Sequence, residues 1–117
     1  MSASHFGLGN LIVLVDNNNM QADGTTADVM TVEPVVERFA SFGFEASRID
    51  AHDHAQLEKA LPSGGAGLDR PQAIVLQTVA GKGVPTFEHH HKVHYLRLDS
   101  RTWQDAMAQL GAPAAQS

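Results

Sequence analysis

Residues 11–24 read LIVLVDNNNMQADG. Aliphatic side chains without alternation run from Leu11 to Val15 and lead into Asp16, a row of asparagines and an Asp-Gly pair. A short, unbroken, β-branched run suits a strand buried on both faces, as in a parallel sheet. Asp23-Gly24 then marks a turn. The strand therefore ends in a cluster of short polar side chains, and that cluster has two readings. Asparagines end strands and shape turns by bonding their own backbone. Alternatively, neutral amides beside one carboxylate offer oxygen donors to a hard cation such as Mg²⁺, which takes about six oxygens and shares them with water and phosphate.

Outward from this stretch the chain alternates. Upstream, MSASHFG reads as the last turn of a helix with its glycine stop, the earlier turns lying before residue 1. Downstream, Val32, Val35, Val36 and Phe39 fall on one helical face, with Glu33 and Pro34 in the first turn and Gly43 as the stop. FEASRID, residues 44–50, is a second strand. Asp53 and Gln56 predict a capping box for a helix over 54–61. PSGGAGLDRP is a loop, and QAIVLQTV, residues 72–79, a third buried strand. AGKGVPTFEHHHKVHY shows no helical period. A last helix begins near Asp99 with Trp103, Ala106, Met107 and Leu110 on one face, and GAPAAQS is a fraying tail. Strand and helix in alternation predict an α/β fold, a short parallel sheet with covering helices. Ligands of such sheets sit beyond the C-terminal strand ends. Residues 16–24 and 80–94 lie at two of those ends.

Composition narrows the function classes. The 117 residues suffice for one small domain. A formal net charge of −5 argues against nucleic acid or an anionic membrane as the main partner. There is no cysteine, hence no disulfide framework and no thiolate chemistry. No apolar run approaches the roughly 18 residues of a membrane span, and no signal peptide is visible. These features predict a cytoplasmic protein.

LIVLVDNNNMQADG resembles the closing half of the thiamine diphosphate motif of transketolases, which opens with Gly-Asp-Gly and closes about thirty residues later with Asn-Asn or Asp-Asn at a strand end. The resemblance continues through the Glu-Pro helix, the Phe-Gly stop and the Asp-x-His-Asp turn of residues 23–61, and through QTVAGKGV, which is similar to the family's Thr-Val-Lys-Gly-Lys-Gly-Val. It runs from about residue 4 to residue 110 and is strongest toward the N-terminal subunit of bacterial transketolases encoded as two chains. It implies part of a thiamine diphosphate-binding fold over residues 1–110, with 111–117 a flexible tail.

Carried over residue by residue, the resemblance makes Asn18 a Mg²⁺ ligand through its side chain and Met20 another through its backbone carbonyl. Asn17 and Asn19 become turn formers or supports for the ligands. Ala22 and Lys82 fall among the cofactor-binding positions, and Ala80 replaces the lysine common before Gly-Lys-Gly. EHHHKVHY aligns with the family's Glu-x-x-x-x-Trp-His, which puts His94 on the active-site histidine, with Val93 in place of Trp and Tyr95 in place of Gly.

The implied reaction is two-carbon ketol transfer between sugar phosphates, with thiamine diphosphate and Mg²⁺ as cofactors. The implied partners are a sugar phosphate substrate and the remaining transketolase segments or a C-terminal pyrimidine-binding subunit, in an oligomer. The Gly-Asp-Gly half of the motif does not occur in these residues, and no glutamate here matches the one that activates the aminopyrimidine. The chain alone is therefore expected not to catalyse. Two other readings stay open: a Zn²⁺-type module on the histidines of residues 89–94, and a non-catalytic α/β interaction or dimerisation module.

Overall fold

The computed structural model describes residues 1–61, 68–88, 90 and 95–111. Two compact units are woven from alternating stretches, one from residues 1–18 and 30–78, the other from 19–29 and 79 onward.

The first unit holds a parallel sheet. Its strands are β1 (Ile12–Asn17), β4 (Glu45–Asp50) and β5 (Gln72–Gln77), in the spatial order β1-β5-β4. The chain passes from one edge to the other before it fills the middle. Register is level at both flanks: Asn17 and Asp50 both stand opposite Gln77, and Val15 and Arg48 both stand opposite Val75. Burial follows this order. Ala73, Ile74 and Val75 of β5 are 0–2 % exposed, whereas Leu14 of β1 is 52 % exposed. The expectation that β1 is buried on both faces is therefore corrected: β5 is the doubly covered strand, and β1 is an edge. The aliphatic run alone does not separate the two positions, because edge and centre use the same residue types.

Helices flank the sheet. α1 (Ser2–His5) is a single turn, and Ser4 Oγ donates to the Phe42 carbonyl at 2.5 Å. α3 (Val35–Ser41) packs on β4 and β5 and buries Val35. Helix α3 begins one turn later than its apolar spacing predicts. Pro34 is the N-cap, with extended backbone after a cis Glu33–Pro34 bond, so Glu33 and Val32 lie outside the helix. Gly43 closes α3 at φ 84°, in the left-handed region that favours glycine. α4 (His54–Ala60) starts at Asp53, whose carboxylate accepts the backbone N–H groups of Ala55 and Gln56. The reciprocal half of the predicted capping box is replaced: Gln56 Oε1 accepts the Asp50 N–H at 3.1 Å, tying the helix start to the β4 tip. Just before β1, Gly9 lies so close to Leu68 that a Cβ would stand 1.4 Å from the Leu68 carbonyl oxygen.

The second unit contains a small hairpin that the sequence reading took only as a turn. β2 (Met20–Gln21) and β3 (Gly24–Thr25) pair antiparallel around Ala22 and Asp23. One helical turn, α2 (Thr26–Val29), follows. Residues 80–88 form consecutive turns without helix or strand, as their lack of periodicity predicts. α5 (Ser100–Gln109) is capped by Asp99, whose carboxylate accepts the Thr102 N–H at 2.7 Å. On its apolar face Ala106 is buried, while Trp103 and Leu110 are 53 % and 57 % exposed. Of the predicted loop at 62–71, residues 68–71 have neither helix nor strand and 62–67 lie outside the described residues, as do 112–117 of the tail predicted at 111–117.

The burial contrast gives a test on the isolated chain. Ile74→Ala is expected to cost about 2–5 kcal/mol in denaturant unfolding, as deletions in a closed core do. Leu14→Ala, on the open edge, should cost well under half of that. Equal losses would contradict the placement of β5 at the centre.

Candidate functional site

The C-terminal strand ends are assembled from main-chain and side-chain bonds within the first unit. The Asn17 carbonyl accepts the Thr78 N–H at 3.3 Å and Gln77 Nε2 at 3.1 Å. Thr78 Oγ1 donates to Asp16 Oδ1. Ala51 N–H reaches the Gln77 carbonyl at 3.0 Å. The three tips are thus laced side by side, and the chain leaves β1 from a fixed point.

Asn17 is the one buried polar residue among the described residues, 6 % exposed. Its Nδ2 donates to Glu33 Oε1 at 2.9 Å. The same carboxylate accepts Arg48 Nη2 at 2.6 and 2.8 Å and the Val35 N–H at 2.9 Å. Arg38 Nη2 adds a bond to the Glu33 carbonyl oxygen at 3.2 Å. The register explains how one carboxylate reaches both partners. Asn17 and Arg48 project from the same face of the sheet, on the two outer strands, with Val75 and Gln77 of β5 between them. The Val35 N–H, then Arg48, then Asn17 hold the Glu33 carboxyl at about 2, well below the ordinary carboxylate range.

Each position singled out in the sequence has a definite place. Asn18 follows the last residue of β1 and is half-buried. Asn19 has φ 59°, a left-handed conformation that asparagine tolerates better than most side chains. Met20 opens β2 opposite Thr25, and Ala22 sits exposed at the hairpin turn. Lys82 points its ammonium to within 3.7 Å of Glu88 Oε2, and Glu88 Oε1 accepts the Gly83 N–H at 3.1 Å. That pair is half in solvent on the lysine side and so is weakly held. His94 lies outside the described residues, as do His89 and His91. Exposed His90 donates its backbone N–H to the Phe87 carbonyl at 3.1 Å. Among the described residues no three His, Asp or Glu side chains are grouped to hold a metal.

The residues that sequence reasoning missed are Glu33 and Arg48. By spacing alone, Glu33 suits the first turn of a helix and Arg48 an ordinary strand position. The only sequence signal is the charge of an arginine within a strand, which solvent can satisfy as well as a carboxylate. Finding the carboxylate requires the strand order, which the sequence does not print.

Asn18, directly after β1, carries an amide oxygen, a neutral hard donor of the kind a cation such as Mg²⁺ takes.

Comparison with known proteins covers the whole chain. The family described as "Transketolase, thiamine diphosphate binding domain" matches residues 1–117. A transketolase family protein of Sinorhizobium fredii is 36 % identical over 113 residues, which are 96 % of this chain and 40 % of that protein. The 6-deoxy-6-sulfo-D-fructose transketolase subunit of a Clostridium species is 31 % identical over 103 residues, 88 % of this chain and 38 % of that subunit. The crystal structure of transketolase from Campylobacter jejuni superposes with a TM-score of 0.85 at 30 % identity, over 99 % of this chain and 18 % of its own. The chain thus spans about two fifths of the length of these curated relatives. No described helix is long and apolar enough to cross a membrane.

The Glu33 network predicts an acid-sensitive fold. A carboxyl held at about 2 when folded, against 4.5 ordinarily, stabilises the folded chain above pH 4.5 and loses that contribution as pH falls toward 2. Unfolding measured across this window should show stability dropping with acidification. Glu33→Gln should flatten that drop and cost about 1–3 kcal/mol at pH 7, the range for stranding hydrogen-bond partners. An unchanged acid limb in the variant would refute the role given to Glu33.

Proposed function

This chain belongs to the transketolase thiamine diphosphate-binding domain family, and on that basis we propose that it supplies the cation-binding tip and an active-site loop of a transketolase-type enzyme. The supporting observation is the family match over residues 1–117, with Asn18 directly following the anchored β1 tip. Relatives named as transketolase subunits support a role within a larger assembly.

Asn18 contributes its amide oxygen to Mg²⁺, and Met20 contributes its backbone carbonyl. The uncharged donors leave the cation's positive charge available to the diphosphate. Ala22, small and at the hairpin turn, leaves room for close approach of the cofactor. Lys82 is the cation of the 81–83 loop and is shared between Glu88 and the anionic ligand. Thiamine diphosphate, when bound, supplies the carbanion chemistry of two-carbon ketol transfer between sugar phosphates, and the protein positions and tunes it. His94 works at the substrate oxygens, where an imidazole donates a hydrogen bond to developing negative charge or moves a proton near neutral pH. The Gly-Asp-Gly segment and the pyrimidine-binding part come from polypeptide outside residues 1–117, in a cytoplasmic oligomer. The chain by itself is expected to bind cofactor weakly or not at all and not to turn over.

Substitutions in the complete assembly separate the two roles. Asn18→Ala should weaken cofactor affinity by roughly 10–100-fold, with partial recovery in excess Mg²⁺ and thiamine diphosphate. His94→Ala should leave cofactor affinity nearly intact and lower turnover by about 10²–10⁴-fold. His89→Ala and His90→Ala should change little. If the histidine variants lose metal together while Asn18→Ala is silent, the chain is a histidine metal module instead.

A further inference from the structure

Asn17 is the residue immediately before the proposed cation ligand, and its environment is unusual for a strand end. It is an amide 6 % exposed on an edge strand, and its Nδ2 donates to a carboxylate at 2.9 Å. That carboxylate is itself fixed by Arg48 Nη2 at 2.6 and 2.8 Å and by the Val35 N–H at 2.9 Å. Meanwhile the Asn17 carbonyl accepts Gln77 Nε2 at 3.1 Å and the Thr78 N–H at 3.3 Å. Both the side chain and the main chain of Asn17 are held, from opposite partners. The peptide leading into Asn18 then has little freedom to rotate.

We infer that Glu33 is a positioning residue for the cation site: by gripping Asn17 it sets the direction in which the β1 tip presents Asn18, without touching the cation itself. The chemistry explains the residue type at 17. The acceptor is a carboxylate, so the partner has to bring an N–H, and an aspartate at 17 would set two negative charges within hydrogen-bond distance. Arg48 balances the Glu33 charge, so the grip adds no net charge beside the cation site. Rigidity matters here because Mg²⁺ demands near-ideal octahedral geometry and loses water reluctantly. Groups that orient a metal ligand typically change affinity by about 10–100-fold when removed.

This inference rests on the cation role proposed for Asn18, and the test distinguishes the two. In the assembly containing this chain, Mg²⁺ is titrated calorimetrically at saturating thiamine diphosphate for the wild type, Glu33→Gln, Asn18→Ala and the double variant. Glu33→Gln is expected to weaken Mg²⁺ about tenfold while kcat at saturating cofactor is retained. The double variant should be no more than about twofold weaker than Asn18→Ala alone, because a missing ligand leaves nothing to position. A merely structural Glu33 lowers the melting temperature but gives additive effects or none on affinity. Amide relaxation on the chain alone adds a second readout: the order parameter of Asn18 should fall from about 0.85 toward 0.6 in Glu33→Gln while β5 stays rigid. Asn17→Ala breaks the same contact from the other side and decides the question if Glu33→Gln fails to fold. If Asn18→Ala weakens Mg²⁺ while Glu33→Gln and Asn17→Ala do not, positioning is overturned and the cation site stands. If Asn18→Ala itself is silent, both are overturned.

Discussion

The Glu33 carboxylate ties together two strands that do not pair with each other. β1 and β4 lie on opposite sides of β5. One oxygen takes the amide of Asn17 and both take the guanidinium of Arg48. The carboxylate also receives the Val35 N–H at the start of α3, so a single group joins both sheet edges to the covering helix. Its side chain remains 40 % exposed, as does Arg48 at 38 %. Solvent therefore screens the charge pair, and the bond geometry matters more than the Coulomb attraction. The buried partner is the one that needs the contact: Asn17, without Glu33, would leave a desolvated N–H₂ group unmet.

From this tie follows the form of the strand ends. A parallel sheet with level register brings its C-terminal tips together, and ligands of such folds bind just beyond them. Here the tips are also laced by Gln77, Thr78 and Gln56, each bonding a neighbouring strand's backbone or side chain. A rigid tip suits a ligand for a cation that tolerates little misplacement. The edge position of β1 also leaves Leu14 about half exposed.

Much of this architecture was legible in the residues. The alternation of strand and helix, the glycine stop at Gly43 and the Asp99 cap are local signals with local causes, and each is found where the spacing put it. The resemblance to transketolases, carried by DNNNM, the Glu-Pro helix and AGKGV, is matched by the family and by the fold. What was not legible is what depends on strand order. β1 and β5 have similar aliphatic runs, yet one is an edge and the other the centre. At the Asp53 and Gln56 capping box, Gln56 Nε2 still donates to the Asp53 carboxylate at 2.9 Å, while its Oε1 accepts the Asp50 N–H in place of the Asp53 N–H. Pro34 was placed inside the helix because Pro suits a first turn; the extended backbone before Val35 leaves Glu33 out of the helix and free to reach the sheet. Glu33 and Arg48 carry no motif, since their meeting is set by register across β5.

The claim on which the functional account stands is that Asn18 is a ligand of the cofactor's cation. The direct measurement is anomalous scattering from Mn²⁺, substituted for Mg²⁺, in crystals of the thiamine diphosphate-loaded assembly that contains this chain. The account predicts a peak at about 2.1 Å from the Asn18 side-chain oxygen, the distance for a small octahedral divalent ion, with the Met20 carbonyl as its neighbour. A peak among the histidines of residues 89–94, with Asn18 turned away from any metal, would contradict it.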